Sequence, residues 1–255
     1  MSKNNHAPVW VSQNYLTSAK TIQRLINKTS ISASDHIVEI GPGKGHITAL
    51  LLRRCQKLSA VEIDKTLHSK LQTKFENASN LKLYCHDFVK WPLPAGPYKI
   101  FANIPFNRTT DIIRKLAGSK NPPAEAWLIM EKGAAKRFMG VPRENALSLT
   151  IKPLYDMCIA YHFRREDFHP MPGVDVVMLH MKQKTPWDIP LPQLVRYQRF
   201  ISTATKNGGL ARVFTKKQLS KARREAGLND NTSAEILYIQ WLCLFRCCVM
   251  FARNC

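Results

Sequence analysis

Four short apolar runs in the first half of the chain each end close to a glycine or a polar side chain. The runs are residues 36–40, 57–61, 81–85 and 98–102, and Gly41, Glu62, Asp87 and Asn103 follow their ends. Such runs, separated by helical patterns, predict buried parallel strands. The carboxyl ends of parallel strands meet at one edge of an open α/β sheet, where ligands bind. We therefore expect a doubly wound, Rossmann-like α/β fold with its functional site at that edge.

The fourth run stops abruptly at Asn103-Ile104-Pro105-Phe106. Pro105 cannot donate to a sheet ladder and disfavours helical angles at Ile104, so the strand must end there. The Asn103 side-chain oxygen and the Ile104 carbonyl are two acceptors that suit a planar amino group on an aromatic base. Phe106 would stack on that base, an interaction worth roughly 1–3 kcal/mol. The alternative is a plain strand end before a helix, with Phe106 in the core.

The first run leads directly into Gly41-Pro42-Gly43-Lys44-Gly45 and a helix predicted at residues 46–55. Glycines allow a tight turn and the close approach of a ligand. Glu62 follows Gly41 by about 20 residues, the spacing at which an acidic residue holds ribose hydroxyls. A Walker loop is excluded because Lys44 precedes Gly45 instead of Ser or Thr, and the glycine spacing differs from that of dinucleotide enzymes. A nucleoside without pyrophosphate fits this turn, and S-adenosylmethionine is such a compound.

Two further positions admit a functional or a purely structural interpretation. Asp87 can accept a hydrogen bond from an adenine amino group while Phe88 packs on the ring, or Asp87 simply caps the following turn. Residues 13–16 precede an amphipathic helix predicted at residues 18–27. There Asn14 either supplies polar contacts from a segment folded over the cofactor, or is only a turn residue.

These motifs resemble the erythromycin-resistance (Erm) family of ribosomal RNA adenine methyltransferases, within the rRNA adenine methyltransferase superfamily. The resemblance extends through about residue 225 and rests on residues 13–16, 38–45, 61–64, 86–88, 103–106 and 168–174. Asn103-Ile104-Pro105 followed by an aromatic residue and by residues 110–113 is similar to the Erm branch. The small-subunit enzymes more often show Asn-Leu-Pro-Tyr. Phe106 stands where many relatives have Tyr, so stacking must be what this position supplies, and Tyr15 replaces the usual Phe.

The resemblance implies S-adenosyl-L-methionine as the cofactor and assigns residues to it. The cofactor-binding residues would be Asn14, Leu16, Gly41, Gly43, Glu62, Ile63, Asp87, Phe88 and Asn103. The catalytic residues beside the target amine would be Asn103, Ile104, Phe106 and Phe168. Phe168 would be the second wall of a base sandwich opposite Phe106, or else a hydrophobic anchor of its proline-rich loop. No metal is needed.

Composition points to a polyanionic partner. The chain of 255 residues has a net charge of +20, and its basic residues are spread over both halves. A charge of this size is typical of nucleic-acid binding. We predict a catalytic domain at residues 1–186 and a helical RNA-binding domain at residues 187–255, with prolines 190 and 192 at the border. The latter domain would position RNA through phosphate contacts.

Cysteine usage and hydropathy favour a reducing compartment and no membrane anchor. The seven cysteines form no Cys-x-x-Cys motif, which makes a zinc site improbable and reduced thiols the default. Residues 1–12 lack the apolar core of a signal peptide. Residues 236–251 are apolar but are interrupted by Gln240 and Arg246, so we expect a packed helix. The expected protein is cytoplasmic and monomeric.

The predicted function is S-adenosylmethionine-dependent methylation of an adenosine amino group in 23S rRNA, on naked or pre-assembly RNA. The family resemblance implies the adenosine whose methylation confers macrolide, lincosamide and streptogramin B resistance. Two alternatives remain: a small-subunit (16S) rRNA adenine dimethyltransferase, and a non-catalytic nucleic-acid-binding protein on the same scaffold.

Overall fold

The computed structural model describes residues 14–206, 208–228 and 235–251. Residues 1–12, Gln13 of the first motif and Cys255 lie outside the described residues. The chain forms two compact units. The first combines the described residues up to Ala135 with Met157–Gln183, and the second combines Lys136–Asp156 with the described residues from Lys184 onward. This division differs from the predicted border at residue 186 because residues 136–156 belong to the second unit.

The strands and helices alternate along most of the chain. The strands are β1 (Tyr15–Leu16), β2 (His36–Ile40), β3 (Lys57–Glu62), β4 (Leu81–Cys85), β5 (Lys99–Asn103), β6 (Glu125–Glu131), β7 (Tyr155–His162), β8 (Phe168–His169) and β9 (Val176–Gln183). The helices are α1 (Ala19–Asn27), α2 (His46–Leu51), α3 (Lys65–Lys74), α4 (Thr109–Ala117), α5 (Lys132–Met139), α6 (Ala146–Ile151), α7 (Leu191–Ala204), α8 (Lys216–Glu225) and α9 (Tyr238–Phe251).

Seven strands form one sheet in the order β4-β3-β2-β5-β6-β9-β7. The pairs from β4 to β6 are parallel, and β9 runs antiparallel to β6. The chain winds outward in one direction through β3 and β4 and in the other through β5 and β6, so the strand order reverses between β2 and β5. Ligands bind at such a reversal. Gly41 follows β2 there and Asn103 ends β5, which confirms the predicted doubly wound α/β class.

The core on one face of this sheet is built by α1 and α2. Ser18 caps α1 by accepting a hydrogen bond from the Thr21 backbone N–H, and the helix buries its apolar side. That side packs with Ile47 and Leu51 of α2 and with apolar strand residues such as Phe101 and Trp127. This packing fixes α2 under the turn that connects it to β2.

In the described part of the second unit, the regular elements are helices apart from the first two residues of β7. An aromatic cluster forms much of its interior, with Phe200 in contact with Phe214, Trp241 and Phe245. The Tyr197 hydroxyl donates to the Leu149 carbonyl at 3.0 Å, which ties α7 to α6. The prediction of a packed helix at residues 236–251 is confirmed by α9. No helix in the described parts of the chain is long and apolar enough to cross a membrane.

Several element boundaries differ from those predicted. The predicted helix at 46–55 ends at Leu51 because the next residues form a turn. Neither α6 nor β7 was predicted. The helix α6 has only six residues, too few for a helical period to stand out. In β7 the large side chains do alternate with small or polar ones, and their burial alternates as well, so a period-2 search would have found this strand.

Candidate active site

The glycine turn after β2 has backbone angles that glycine alone adopts readily. Gly41 and Gly43 have φ values of 63° and 58°. A Cβ on Gly43 would lie 2.7 Å from Cε1 of Tyr15, so the Tyr15 ring covers this glycine. A Cβ on Gly41 would meet no atom within 4 Å. Gly41 therefore faces open space, and it lines both of the cavities described below.

Glu62 at the end of β3 holds this turn in place. Its side chain is almost fully buried, and Oε2 accepts a hydrogen bond from the Gly43 N–H at 3.0 Å. Oε1 accepts from the Asp64 N–H, also at 3.0 Å. Burial raises the pKa of the Glu62 carboxyl above its ordinary value, and the backbone hydrogen bonds offset only part of this rise. The carboxylate thus lies at the base of the glycine turn with both oxygens fixed.

A second carboxyl group, Glu39 of β2, is buried beneath the same turn. Its Oε2 accepts a hydrogen bond from the Thr48 hydroxyl at 2.8 Å. Burial, with a further contribution from Glu62, raises the pKa of Glu39 to about 8. The sequence placed Glu39 in a motif but did not single it out, since a single Glu in an apolar strand carries no signal of its protonation state.

A cleft opens at the carboxyl ends of β2, β3 and β4. It is lined by Ile40, Gly41, Val61, Glu62, Ile63, His86, Asp87, Phe88, Val89, Pro105, Arg108 and Ile112. Ile63 is 44% exposed, which is unusual for its type, and Phe88 is buried to 5% exposure. The cleft combines apolar side chains with the carboxylates of Glu62 and Asp87. Such a lining suits a nucleoside, which has a flat base and a hydroxyl-bearing sugar. The cleft brings together five of the predicted cofactor residues.

Arg108, which the sequence did not single out, is paired with Asp87 in this cleft. Its Nη2 lies 3.2 Å from Oδ2 and 3.3 Å from Oδ1 of Asp87. Asp87 Oδ1 also accepts from the Val89 N–H at 2.9 Å, so the predicted capping of this turn is present. Arg108 ends the short 3₁₀ turn Phe106–Arg108 that follows β5. Its position two residues after Phe106 is the sequence feature that could have identified Arg108 as a site residue.

A second cavity is lined by Asn14, Tyr15, Gly41, Asn103, Ile104, Pro105 and Phe106. It shares Gly41 and Pro105 with the cleft. The Asn103 side chain donates through Nδ2 to the Asn14 carbonyl at 2.8 Å. This bond orients the amide and leaves Oδ1 as the atom that can accept. The Ile104 N–H donates to the Ile129 carbonyl at 3.1 Å, which fixes the peptide before Pro105.

The two predicted stacking residues occupy different environments. Phe106 is half-buried and lines the second cavity. Phe168 is 3% exposed, and its ring lies edge-on to that of Phe163 with 5.1 Å between centroids. This is the position of a hydrophobic anchor, so a stacking role for Phe168 stays a prediction.

Leu16 and Gly43 also lie outside the lining of both cavities. Leu16 is buried in the core and pairs with Phe168 in a two-stranded antiparallel ribbon. Gly43 contributes its N–H to Glu62. Their roles at the cofactor stay predictions.

The residues present fit S-adenosylmethionine. A side chain at position 41 would fill the open space beside Gly41, so the glycine leaves room there for a ligand. The Glu62 carboxylate, whose two oxygens are held by hydrogen bonds, suits ribose hydroxyls. No group of three His, Cys, Asp or Glu residues within the described ranges is arranged to hold a metal ion.

Comparisons with known proteins identify the family. The family model for ribosomal RNA adenine dimethylase matches residues 5–244. An rRNA adenine N-6-methyltransferase of Lysinibacillus sphaericus is 36% identical over 235 residues, covering 92% of this chain and 93% of the relative. One of Limosilactobacillus reuteri is 34% identical over 243 residues, covering 95% and 97%. The crystal structure of the 23S rRNA methyltransferase ErmE matches with a TM-score of 0.79 at 23% identity, covering 92% of this chain and 100% of that one.

The resemblance inferred from the motifs is confirmed at the level of the family, the fold and the reaction. The match extends well beyond residue 225, where the sequence resemblance was expected to end. Membership implies S-adenosylmethionine as the methyl donor. This chain belongs to the ribosomal RNA adenine dimethylase family and is an rRNA adenine N-6-methyltransferase.

Proposed function

We propose that the substrate is 23S rRNA and that methylation of one adenosine there confers macrolide, lincosamide and streptogramin B resistance. The observation that carries the proposal is the Asn103–Phe106 motif at the end of β5, with its acceptor oxygen and aromatic ring in one cavity next to the glycine turn. The choice of 23S rRNA is supported by the Erm-like sequence of this motif and of residues 110–113. The likeness to ErmE, a 23S rRNA methyltransferase, favours the same choice.

In this proposal the cleft holds S-adenosylmethionine. Glu62 accepts hydrogen bonds from the ribose hydroxyls, and Asp87 accepts one from the adenine amino group. Ile63 and Phe88 cover the two faces of the base, which explains why Ile63 is exposed without ligand. S-adenosylmethionine, when bound, supplies a methyl group activated by a sulfonium centre. Asn14, Leu16 and Gly43 complete the site as predicted from the resemblance.

The second cavity receives the target adenosine. An adenosine that leaves its stack costs a few kcal/mol, and less when it is already unpaired. Phe106 stacks on its base, while Asn103 Oδ1 and the Ile104 carbonyl accept from the two amine hydrogens and return lone-pair character to the nitrogen. No side chain acts as a strong base, since the amine loses its proton to solvent once it has become cationic. Alignment of this kind contributes up to roughly 7–11 kcal/mol to a rate.

The substrate is naked or pre-assembly RNA, because an adenosine within a finished subunit is less accessible. The second unit contributes phosphate contacts, and the enzyme acts as a cytoplasmic monomer. The net charge of +20 supports RNA binding by both units.

The decisive experiment is methyl transfer from radiolabelled S-adenosylmethionine to naked 23S and 16S rRNA in parallel, followed by digestion to nucleosides. Labelled N6-methyladenosine from 23S rRNA alone is the expected result, and its mono- to dimethyl ratio is obtained at the same time. Label from 16S rRNA alone would assign the protein to the small-subunit branch. An Asn103→Ala variant serves as the control, and it should transfer no label.

A further inference from the structure

Arg108 lines the cleft, and one of its hydrogen-bond donors has no partner in the described part of the protein. A guanidinium has five N–H groups. Nη2 is engaged with Asp87, but Nε is buried without a hydrogen-bond partner. The nearest carboxylate oxygen to Nε, from Asp111, is 3.7 Å away, which is too far for a hydrogen bond. Because Nε is itself buried, a ligand in the cleft would meet the partly exposed remainder of the Arg108 side chain.

The Asp87–Arg108 pair has the chemical pattern of an adenine reader. Adenine displays an amino donor flanked by the ring acceptors N1 and N7. A carboxylate beside a guanidinium offers an acceptor next to a donor, which is the pattern that Asn and Gln side chains use for bidentate contact with adenine. Both side chains line the cleft and are partly exposed, 31% for Arg108 and 24% for Asp87. Hypoxanthine has an oxygen in place of the amino group, and that oxygen would face the Asp87 carboxylate.

We propose that Arg108 is a specificity-determining residue of the cofactor site, whose guanidinium donates a hydrogen bond to one of the two ring nitrogens beside the adenine amino group. Asp87 and Arg108 then recognise the adenine of S-adenosylmethionine as a unit. This inference rests on the proposed function, since it requires that the nucleoside of the cofactor occupies the cleft. Arg108 lies two residues after Phe106, so one short turn carries both the cofactor-reading and the target-stacking side chain.

The test measures binding rather than activity, by calorimetry on the full chain. The ligands are S-adenosylhomocysteine, its 1-deaza and 7-deaza analogues, and S-inosylhomocysteine. We expect the wild type to bind one of the two deaza analogues about tenfold or more weakly than S-adenosylhomocysteine. A loss of this size corresponds to one charge-assisted hydrogen bond. Arg108→Met should weaken S-adenosylhomocysteine to a similar degree and abolish the preference over that analogue. Arg114→Met, which removes an exposed arginine of α4 outside the cleft, should leave all four affinities unchanged.

The outcomes separate this inference from the proposed function. A wild type that binds both deaza analogues as tightly as S-adenosylhomocysteine would overturn the role of Arg108, even if Arg108→Met failed to fold. So would an Arg108→Met variant that keeps the wild-type preferences. Absence of any binding of S-adenosylhomocysteine by the wild type would overturn the proposed cofactor site itself, together with this inference.

Discussion

At the scale of single residues, two buried carboxyl groups under the glycine turn have opposite tasks. Glu62 accepts two backbone hydrogen bonds, from Gly43 and Asp64, and these stabilise its ionised form. Glu39 accepts a hydroxyl hydrogen bond from Thr48 and has no salt-bridge partner among the described residues. A buried carboxyl with neither a cation nor backbone N–H donors beside it is more stable as the neutral acid. We infer that Glu62 is the carboxylate for the ligand and that Glu39 is a neutral support.

The raised pKa of Glu39 predicts how stability depends on pH. In the unfolded chain Glu39 titrates near its ordinary value of 4.5, and in the fold near 8. The folded state therefore binds the proton more tightly, and the stabilisation present below pH 4.5 is lost as the pH rises towards 8. Glu39→Gln keeps an acceptor for the Thr48 hydroxyl and cannot ionise. We expect its free energy of unfolding, measured with urea from pH 5 to 9, to fall less with pH than that of the wild type.

The matched control is Glu76→Gln, at an exposed position, which should follow the wild-type curve. Parallel curves for Glu39→Gln and the wild type would contradict a neutral Glu39.

At the scale of elements, the ribbon of β1 and β8 joins the segment that follows Asn14 to the proline-rich loop that contains Phe168. Tyr15 pairs with His169, and Leu16 pairs with Phe168. The Asn14 carbonyl just before β1 accepts from Asn103. The burial of Leu16 and Phe168 therefore holds Asn14 beside the Asn103 amide.

Substitution of the two phenylalanines separates anchoring from stacking. Phe168→Ala should lower the free energy of unfolding by about 3–5 kcal/mol, the usual cost of removing a buried ring. Phe106→Ala should reduce stability less, because Phe106 is half-buried, and should lower kcat through the loss of roughly 1–3 kcal/mol of stacking. Thermal melts and single-turnover methyl transfer on the same preparations measure both effects. A normal melting temperature with slow transfer in Phe168→Ala would instead support the base sandwich predicted from the sequence.

At the scale of the whole molecule, the positive charge is carried by two units, and the chain passes from one unit to the other three times. Residues 136–156 and the segment from Lys184 onward form one unit, and the buried hydrogen bond from Tyr197 to Leu149 lies inside it. Deletion of residues 190–255 would therefore cut through a folded unit. Removal of surface charge is the cleaner test of RNA binding.

We expect Lys216→Gln with Lys217→Gln, both exposed on α8, to reduce the salt dependence of RNA binding. Each lost phosphate contact lowers the slope of log affinity against log salt by roughly 0.7–0.9. The double variant should thus lose about 1.5 units of slope in filter binding to 23S rRNA. Lys65→Gln with Lys70→Gln on α3 of the first unit removes the same charge. An equal loss of slope in both double variants would show that the effect is general electrostatics, not a contact of α8.

The strands β2 to β5 and the sheet edge at which the site lies could be predicted from local sequence patterns. Local rules suffice for this, because Pro105 ends β5, glycines form the turn after β2, and apolar runs of strand length allow few other folds. The family motifs then placed Glu62, Asp87 and Asn103 at neighbouring strand ends, and the structure brings Glu62 and Asp87 into the cleft and Asn103 into the adjoining cavity.

Contacts between residues that are distant in sequence are seen only in the folded structure. Arg108 reaches Asp87 from a different strand end, Phe168 enters the core instead of an open site, and residues 136–156 join the second unit. Such contacts depend on how the chain closes over many residues, and no local rule on backbone angles or periodicity contains that information. The pKa of Glu39 belongs here too, because burial from all sides keeps its carboxyl neutral.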